Sequence, residues 1–186
     1  MISKSPAVFV DRDDTIMENV DYCSDPKQVR IFPGVPEALR RLKSNGFKLI
    51  IITNQSGIGR GFFTNEQYRA VEAEVLRQLG DGLIDACYFC PDVPGQRSNC
   101  RKPAPGMIEQ AVQRFPQIEL AQSYMLGDKA SDVGFAKNTG CRSILLKTGY
   151  GERVLAGKYQ VLENQPDFIC QDMPAATAFI LKRVLP

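Results

Sequence analysis

The stretch Ala7–Thr15, which reads AVFVDRDDT, decides the fold class of this chain. Its first four residues form a short apolar run, which is typical of a strand buried on both faces of a parallel sheet. Carboxylates follow directly, at the point where such a strand ends. Ligand sites in open α/β sheets lie outside the carboxyl ends of the strands, so this stretch predicts both a structural element and a site.

The same succession of apolar runs and helical patterns continues along the chain. Further strands are predicted at 49–52, 84–89, 123–126 and 143–146. Helices are predicted at 35–43, 64–79, 106–115, 130–138 and 175–184. This alternation predicts a Rossmann-like α/β fold, a parallel sheet with helices on both faces. We expect residues 1–186 to form a single domain, since no insertion is long enough for a separate cap domain.

Composition excludes several classes of function. The chain has no histidine, which removes histidine phosphatases and Ser-His-Asp hydrolases, and no arginine stands six residues after any cysteine, as cysteine phosphatases require. The net charge of +2 is dispersed, so no nucleic-acid partner is expected. Met1 to Pro6 lack a long apolar run, so we expect no signal peptide and no membrane anchor. The expected protein is a cytoplasmic monomer whose six cysteines are reduced thiols.

Four polar motifs stand near predicted strand ends, and each has a purely structural explanation as well as a functional one. Asp11 and Asp13 could bind Mg2+ or could be solvated acids of a capped turn. The glycine-rich segment 53–61 could bind a phosphate through hydroxyl, amide and backbone donors, although many loops have this composition. Arg101–Lys102 could neutralise phosphoryl oxygens or form a solvated basic turn. In the segment 128–132, two acids could complete a cation site or cap a helix. No single structural explanation accounts for all four.

The order of these motifs resembles that of the haloacid dehalogenase (HAD) superfamily, over about residues 8–150. The resemblance implies a Mg2+-dependent phosphatase in which Asp11 attacks phosphorus and Asp13 acts as general acid and base. It implies that Thr53 and Lys102 bind the transferring phosphoryl group. The implied Mg2+ ligands are Asp11, a backbone carbonyl of Asp13 and Asp128, with Asp132 behind them.

Longer segments, among them FPGVPEALRRLKSNGFKLIIITNQSGIGRGFFT, CRKPAPGM and YMLGDKASD, look like the D-glycero-D-manno-heptose 1,7-bisphosphate 7-phosphatases of lipopolysaccharide core biosynthesis. This resemblance implies a small phosphorylated sugar as substrate. The implied substrate contacts are Asn19, Val20, Asp21, Tyr22, Thr53, Asn54, Gln55, Ser56, Arg101, Lys102 and Lys129. The related histidinol-phosphate phosphatases share most of these features. Two further hypotheses are a DNA 3′-phosphatase and a non-catalytic descendant that binds a phosphorylated ligand.

The chain departs from the family pattern at two places. These families usually hold a structural Zn2+ through a CxH and a CxC pair, but the matching positions here are Cys90, Asp92, Ser98 and Cys100. Because structural zinc sites use four ligands, mostly Cys and His, we expect a zinc-free loop. Asp14 replaces the usual glycine after the DxD motif, and we expect its side chain to point away from the metal.

Overall fold

The protein is built on a six-stranded parallel sheet, as the sequence predicts. A computed structural model describes residues 4–184. The expectation of no signal peptide rests on Met1 to Pro6, and the first three of these residues lie outside the described part of the chain. The strands are β1 (Ala7–Val10), β2 (Lys48–Asn54), β3 (Ala86–Cys90), β4 (Tyr124–Gly127), β5 (Arg142–Leu146) and β6 (Phe168–Cys170). Their spatial order is β3-β2-β1-β4-β5-β6.

Helices cover both faces of this sheet. They are α1 (Val35–Ser44), α2 (Ser56–Gly59), α3 (Asn65–Leu79), α4 (Gly106–Arg114), α5 (Ala130–Thr139), α6 (Gly151–Leu155) and α7 (Met173–Val184). The helix α3 begins with a capping box in which Thr64 Oγ1 accepts from the Gln67 N–H and Gln67 Oε1 accepts from the Thr64 N–H. None of the helices within residues 4–184 combines the length and the apolar character needed to span a bilayer.

Successive side chains of the central strands point to opposite faces of the sheet, so an apolar core forms on each face. Val8 and Val10 of β1 pack with residues of α1, α3 and α7 on one face of the sheet. Phe9, which points to the opposite face, packs with residues of α4 and α5. All four residues of β1 are fully buried, because both faces of the strand are covered. This double coverage is why the strand reads as a continuous apolar run instead of an alternating one.

Short elements escaped the sequence prediction. The strand β6 has three residues and the helix α6 has five, so neither is long enough to display a periodicity. The helix α2 lies inside the glycine-rich loop after β2. The strand predicted at 84–89 forms at Ala86–Cys90, and the last helix begins at Met173, two residues before the predicted start. Boundaries of this kind depend on tertiary contacts that local patterns do not record.

The strand order fixes where a site can form. β1 pairs with β2 on one side and with β4 on the other, although β4 follows more than a hundred residues later in the chain. The direction of strand succession reverses between β1 and β4, which is the point where ligands bind in open α/β sheets. Asp11 directly follows β1 and Asp128 directly follows β4, so the two carboxylates flank this point.

Candidate active site

Three neighbouring strands deliver polar side chains to one edge of the sheet. Asp11, Thr53 and Asp128 stand at the carboxyl ends of β1, β2 and β4, and all three are buried. The structure therefore brings together the strand-end residues that sequence reasoning singled out. Buried polar groups must find partners, and the contacts of these three define the site.

A buried chain of charges joins Asp11, Lys102 and Asp132. Lys102 Nζ lies 2.8 Å from Asp11 Oδ1 and 2.7 Å from Asp132 Oδ1, and it donates to the Ile52 carbonyl at 2.9 Å. Burial alone would lower the pKa of Lys102, but the two carboxylates raise it overall. Burial alone would raise the pKa of Asp11, but Lys102 and then Lys129 hold it below its usual value. Asp11 is therefore an ionised carboxylate at neutral pH.

Asp128 has a different electrostatic environment. Its Oδ1 lies 3.1 Å from Lys129 Nζ, and its Oδ2 accepts from the Tyr150 N–H at 2.9 Å. Burial raises the pKa of Asp128 to about 7; Lys129 opposes this rise, while Asp11 and Asp132 add to it. In the metal-free protein, Asp128 therefore takes up a proton near neutral pH, because burial penalises its charged form and Lys129 does not fully offset that penalty.

The carboxylate cluster fits a divalent cation. Oxygen atoms of Asp11, Asp128 and Asp132 lie within 4.8 Å of one another, and all three residues are buried. Oxygen ligands of this kind suit Mg2+, and the raised pKa of Asp128 marks negative charge that a cation would stabilise. Asp132 is already engaged, since its Oδ2 accepts from the Lys129 N–H at 3.1 Å while Oδ1 pairs with Lys102. Through these two contacts, Asp132 positions Lys102 and the Lys129 backbone beside the cluster.

Asp13 is held in place from two sides. Arg12 donates from Nε to Asp13 Oδ1 and from Nη2 to Asp13 Oδ2, both at 3.0 Å, which is a bidentate pair. Gln55 Nε2 donates to Asp13 Oδ2 and to Thr53 Oγ1, both at 2.8 Å. Gln55, which the sequence predicts as a substrate contact, also orients Asp13 and Thr53 through its side chain. The Asp13 carboxylate is therefore fixed at the mouth of the site.

The loop carrying Arg101 and Lys102 is tied to the sheet. Asn54 Oδ1 accepts from the Lys102 N–H at 3.0 Å, and Asn54 Nδ2 donates to the Lys102 carbonyl at 3.3 Å. Asn54 thereby positions Lys102, a task in addition to the predicted substrate contact. Arg101 Nη1 donates to the Asp92 carbonyl at 3.0 Å. Burial lowers the pKa of Arg101, and the nearby charge of Arg60 adds to this effect.

The four positions matched to a zinc site do converge, but two of them are joined covalently. Cys90 and Cys100 form a disulfide, with their Cα atoms 5.4 Å apart. Ser98 Oγ lies 3.6 Å from Cys90 Sγ, and Asp92 Oδ2 lies 3.4 Å from Cys100 Sγ. The expectation that all six cysteines are free thiols is wrong for this pair, because folding brings Cys90 and Cys100 within bonding distance. Free thiols are found at Cys23, Cys87, Cys141 and Cys170.

Two clefts meet above the carboxylate cluster. The larger has a volume of about 790 Å³, and its lining includes Asp11, Lys102 and Arg101. The smaller, of about 200 Å³, is lined by the predicted substrate loop 19–22 and by residues 54–56. Asp13 and Lys129 line both clefts. Every residue predicted to contact substrate or to take part in catalysis therefore lies at this one edge of the sheet.

Asp14 adopts a backbone conformation that explains the usual glycine. Its φ is 62°, in the left-handed region that Gly occupies at no cost and Asp tolerates better than most residues. Its side chain is buried against Gly149, and its carboxylate is not among the clustered acids of the described residues. Burial raises the pKa of Asp14, and Lys129 partly offsets this rise. Asp14 is thus a neighbour of the cluster and lies outside it.

Sequence reasoning missed three residues of the site. Arg12 carries a signal, since a basic residue between two acids is a natural partner for one of them. Tyr150 contributes its backbone N–H to Asp128, which leaves no side-chain signal. Tyr159 lines both clefts from an irregular segment without periodicity, so nothing in the sequence connects it with the motifs.

The known proteins to which this chain is similar include HAD-like hydrolases and heptose bisphosphate phosphatases. A family model described as HAD-hydrolase-like matches residues 99–176. The D-glycero-D-manno-heptose-1,7-bisphosphate 7-phosphatase of Thermosynechococcus vestitus is 36% identical over 97% of this chain and 98% of its own length. The D-glycero-beta-D-manno-heptose-1,7-bisphosphate 7-phosphatase of Escherichia coli K12 is 38% identical over 80% of this chain and 83% of its own.

A solved structure extends this similarity to three dimensions. The crystal structure of D,D-heptose 1,7-bisphosphate phosphatase from B. bronchiseptica, complexed with magnesium and phosphate, superposes with a TM-score of 0.85. It is 30% identical, and the alignment covers 96% of this chain and 99% of that one. Similarity therefore extends over nearly the whole length of both chains.

Proposed function

Because this chain belongs to the D-glycero-D-manno-heptose 1,7-bisphosphate 7-phosphatase family of HAD-like hydrolases, we propose that it removes the 7-phosphate of D-glycero-D-manno-heptose 1,7-bisphosphate. It is a phosphatase, and this reaction belongs to the biosynthesis of nucleotide-activated heptose for the lipopolysaccharide core. The observation that carries the mechanism is Asp11, a buried carboxylate that Lys102 and Lys129 keep ionised at the floor of an open cleft. We further propose that the enzyme acts as a monomer in the cytoplasm, as a single domain.

In the first half of the reaction, an Asp11 carboxylate oxygen attacks phosphorus. The O–P bond to Asp11 forms as the bond from phosphorus to the sugar oxygen breaks, and Asp13 gives its proton to the leaving alkoxide. The products of this half are heptose 1-phosphate and an aspartyl-phosphate. Arg12 and Gln55 fix the orientation of the Asp13 carboxylate, which lowers the entropic cost of bringing it to the leaving oxygen.

In the second half, water replaces the aspartate. Asp13, now ionised, takes a proton from water as the water oxygen attacks phosphorus, and the Asp11–phosphorus bond breaks to release inorganic phosphate. Thr53 and Lys102 contact the phosphoryl oxygens in both halves, and Lys102 offsets their charge. Stabilising charge at fixed positions is the main task of a protein in phosphoryl transfer.

Mg2+ is the cofactor that the carboxylate cluster fits. Asp11, Asp128 and the backbone carbonyl of Asp13 would hold it, with Asp132 behind them. When bound, Mg2+ screens the negative charge between Asp11 and the phosphoryl oxygens. Zinc has no place in this proposal, since the sulfur atoms of Cys90 and Cys100 are bonded to each other and Asp92 and Ser98 stand at the other two positions.

The proposed substrate preference follows from the charges around the larger cleft. Arg101 and Lys129 add two cations beyond Lys102, and a bisphosphate supplies a second phosphoryl group for them to bind. Binding energy from that remote group can orient the reacting phosphate. Histidinol phosphate offers an amine and an imidazole instead, which suit acidic side chains better than basic ones.

Steady-state kinetics test this function. We expect kcat/KM for heptose 1,7-bisphosphate to exceed that for histidinol phosphate and for a 3′-phosphorylated oligonucleotide by at least about tenfold, the effect of one charge-assisted contact. Product analysis should show loss of the 7-phosphate with the 1-phosphate retained. A higher kcat/KM for either of the other two substrates would overturn the assignment.

A further inference from the structure

The larger cleft has two walls of different chemistry. One wall is the loop that includes Pro94–Gln96, next to the disulfide, and the other is the segment Tyr159–Asn164. Asp11 and Lys102 line the cleft between these walls. A volume of about 790 Å³ is far larger than a phosphate ion needs, so most of the cleft is available to the rest of the substrate. The walls therefore determine what that remainder can be.

Tyr159 is the one aromatic residue of the described chain that lines the larger cleft, and it lines the smaller cleft as well. It stands where the two clefts meet, beside Lys129 and Asp13, which also line both. Its exposed fraction of 42% leaves much of the side chain open. The side chain is therefore accessible to a substrate in either cleft.

The ring of Tyr159 is held in a fixed position from behind. It stacks on the Tyr150 ring with centroids 4.1 Å apart and an interplanar angle of 19°. The Arg153 guanidinium lies 5.6 Å from the Tyr150 centroid and 5.5 Å from the Tyr159 centroid. The backbone N–H of Tyr150 donates to Asp128 Oδ2, so the stacked pair is connected to the carboxylate cluster through one residue. Such contacts fix the orientation of a side chain on an otherwise irregular segment.

The wall that carries Tyr159 is mostly polar, since its other lining residues are Gln160, Glu163 and Asn164 together with the apolar Val161. A sugar offers matching chemistry, since its C–H groups can pack on an aromatic ring while its hydroxyl groups form hydrogen bonds with amides. A bare phosphate or a short acyl phosphate offers neither. A wall of this composition suits the part of a sugar phosphate that does not react.

We infer that Tyr159, stacked on Tyr150, is a specificity-determining residue whose ring packs against the carbon skeleton of the sugar while Asp11 attacks its phosphate. This inference rests on the proposed function, because it takes the substrate to be a phosphorylated sugar. It assigns the segment Tyr159–Asn164 a function in substrate selection. Loops that follow a rigid scaffold element, as this one follows α6, commonly carry specificity.

The test compares two substrates with two substitutions of Tyr159. Heptose 1,7-bisphosphate has a sugar that can pack on the Tyr159 ring. Acetyl phosphate has an activated leaving group and no sugar skeleton to pack there. We expect Tyr159→Ala to lower kcat/KM for the bisphosphate by about tenfold and to change kcat/KM for acetyl phosphate by less than about twofold. Tyr159→Phe retains the ring and should keep most of the activity toward the bisphosphate.

A matched control separates this effect from a general loss of surface apolar area. Ile169 is 48% exposed on β6 and lines neither cleft, so Ile169→Ala should leave both activities unchanged. The inference is overturned if Tyr159→Ala lowers kcat/KM equally for both substrates. It is also overturned if Tyr159→Phe lowers kcat/KM for the bisphosphate as much as Tyr159→Ala does. The proposed function fails in a different way, namely if the unsubstituted enzyme shows no preference for the bisphosphate over histidinol phosphate. Thermal unfolding of each variant verifies that it is folded.

Discussion

Asp11 and Asp128 illustrate how position within one cluster gives two carboxylates opposite properties. Both are buried, and burial alone raises the pKa of each. Lys102 lies 2.8 Å from Asp11 and reverses the effect, whereas Asp128 faces two acids and one lysine, so its pKa stays raised, to about 7. A nucleophile must be ionised, and a metal ligand can exchange its proton for a cation. The cluster therefore assigns the two tasks by the placement of lysines.

Substitution of Asp11 tests its assignment as the nucleophile. Asp11→Asn removes the negative oxygen while keeping the shape and most hydrogen bonds, so we expect phosphate release to fall by at least about 10³-fold with the fold intact. Asp14→Asn is the matched control, because Asp14 is a buried acid outside the cluster and should retain most of the activity. Phosphate release under saturating substrate measures both. Near-normal turnover by Asp11→Asn would contradict an aspartyl-phosphate mechanism.

Individual residues differ in how far the sequence could reveal them. Asp11, Thr53 and Asp128 were predictable because each stands in a motif at a strand end, whereas Lys102 was found through its basic pair with Arg101 in the loop between β3 and α4. The contact of Gln55 with Asp13 was not, because it depends on a side-chain rotamer in the folded state. Tyr150 was hidden for a different reason, since it meets Asp128 through its backbone N–H, a group that every residue except proline possesses.

At the scale of elements, the loop between β3 and α4 departs most from the family pattern. Sequence reasoning found the four altered zinc positions and predicted a zinc-free loop, but it did not predict the Cys90–Cys100 bond. Cysteine pairing cannot be read from spacing, because it requires knowing which residues folding brings together. In the fold, the disulfide closes the loop just before Arg101, and Asn54 fixes Lys102 just after it. The disulfide and Asn54 thus tie the loop down on either side of Arg101.

This arrangement predicts the metal and thiol content of the loop. Protein purified without reductant or added metal should contain well below one zinc per chain by elemental analysis. Thiol titration of the denatured protein should find the four free cysteines and not all six. One tightly bound zinc together with six titratable thiols would show that Cys90 and Cys100 recruit other ligands, and both the zinc-free loop and the disulfide would then be wrong.

Across the whole molecule, five of the six strands were predictable and the edge strand β6 was not. The central strands β1, β2, β4 and β5 are buried on both faces, which produces apolar runs that are easily detected in the sequence. The edge strand β6 has only three residues, none of them fully buried, so its pattern is weak. The same central strands carry the polar residues of the site. The part of the molecule easiest to predict is therefore the part that holds the chemistry.

The carboxylate cluster also has a consequence for the stability of the whole molecule. In the unfolded chain Asp128 has a pKa of about 3.9, and burial raises it to about 7 in the metal-free fold. The folded state therefore binds a proton that the unfolded state has released. The contribution of Asp128 to stability is fully present below about pH 4 and is lost as the pH rises toward 7, at up to about 1.4 kcal/mol per pH unit.

We therefore predict that, in EDTA, the melting temperature of the wild type falls relative to that of Asp128→Asn between pH 5 and pH 7. The asparagine keeps an acceptor for the Tyr150 N–H but cannot ionise, so the difference between the two proteins isolates this one group. Added Mg2+ should raise the melting temperature of the wild type more at pH 7.5 than at pH 5, because the cation competes with the proton. The variant should show much less stabilisation at either pH. If the melting temperatures of the two proteins change in parallel with pH in EDTA, the pKa of Asp128 is not raised. If Mg2+ stabilises both proteins equally, Asp128 is not a metal ligand.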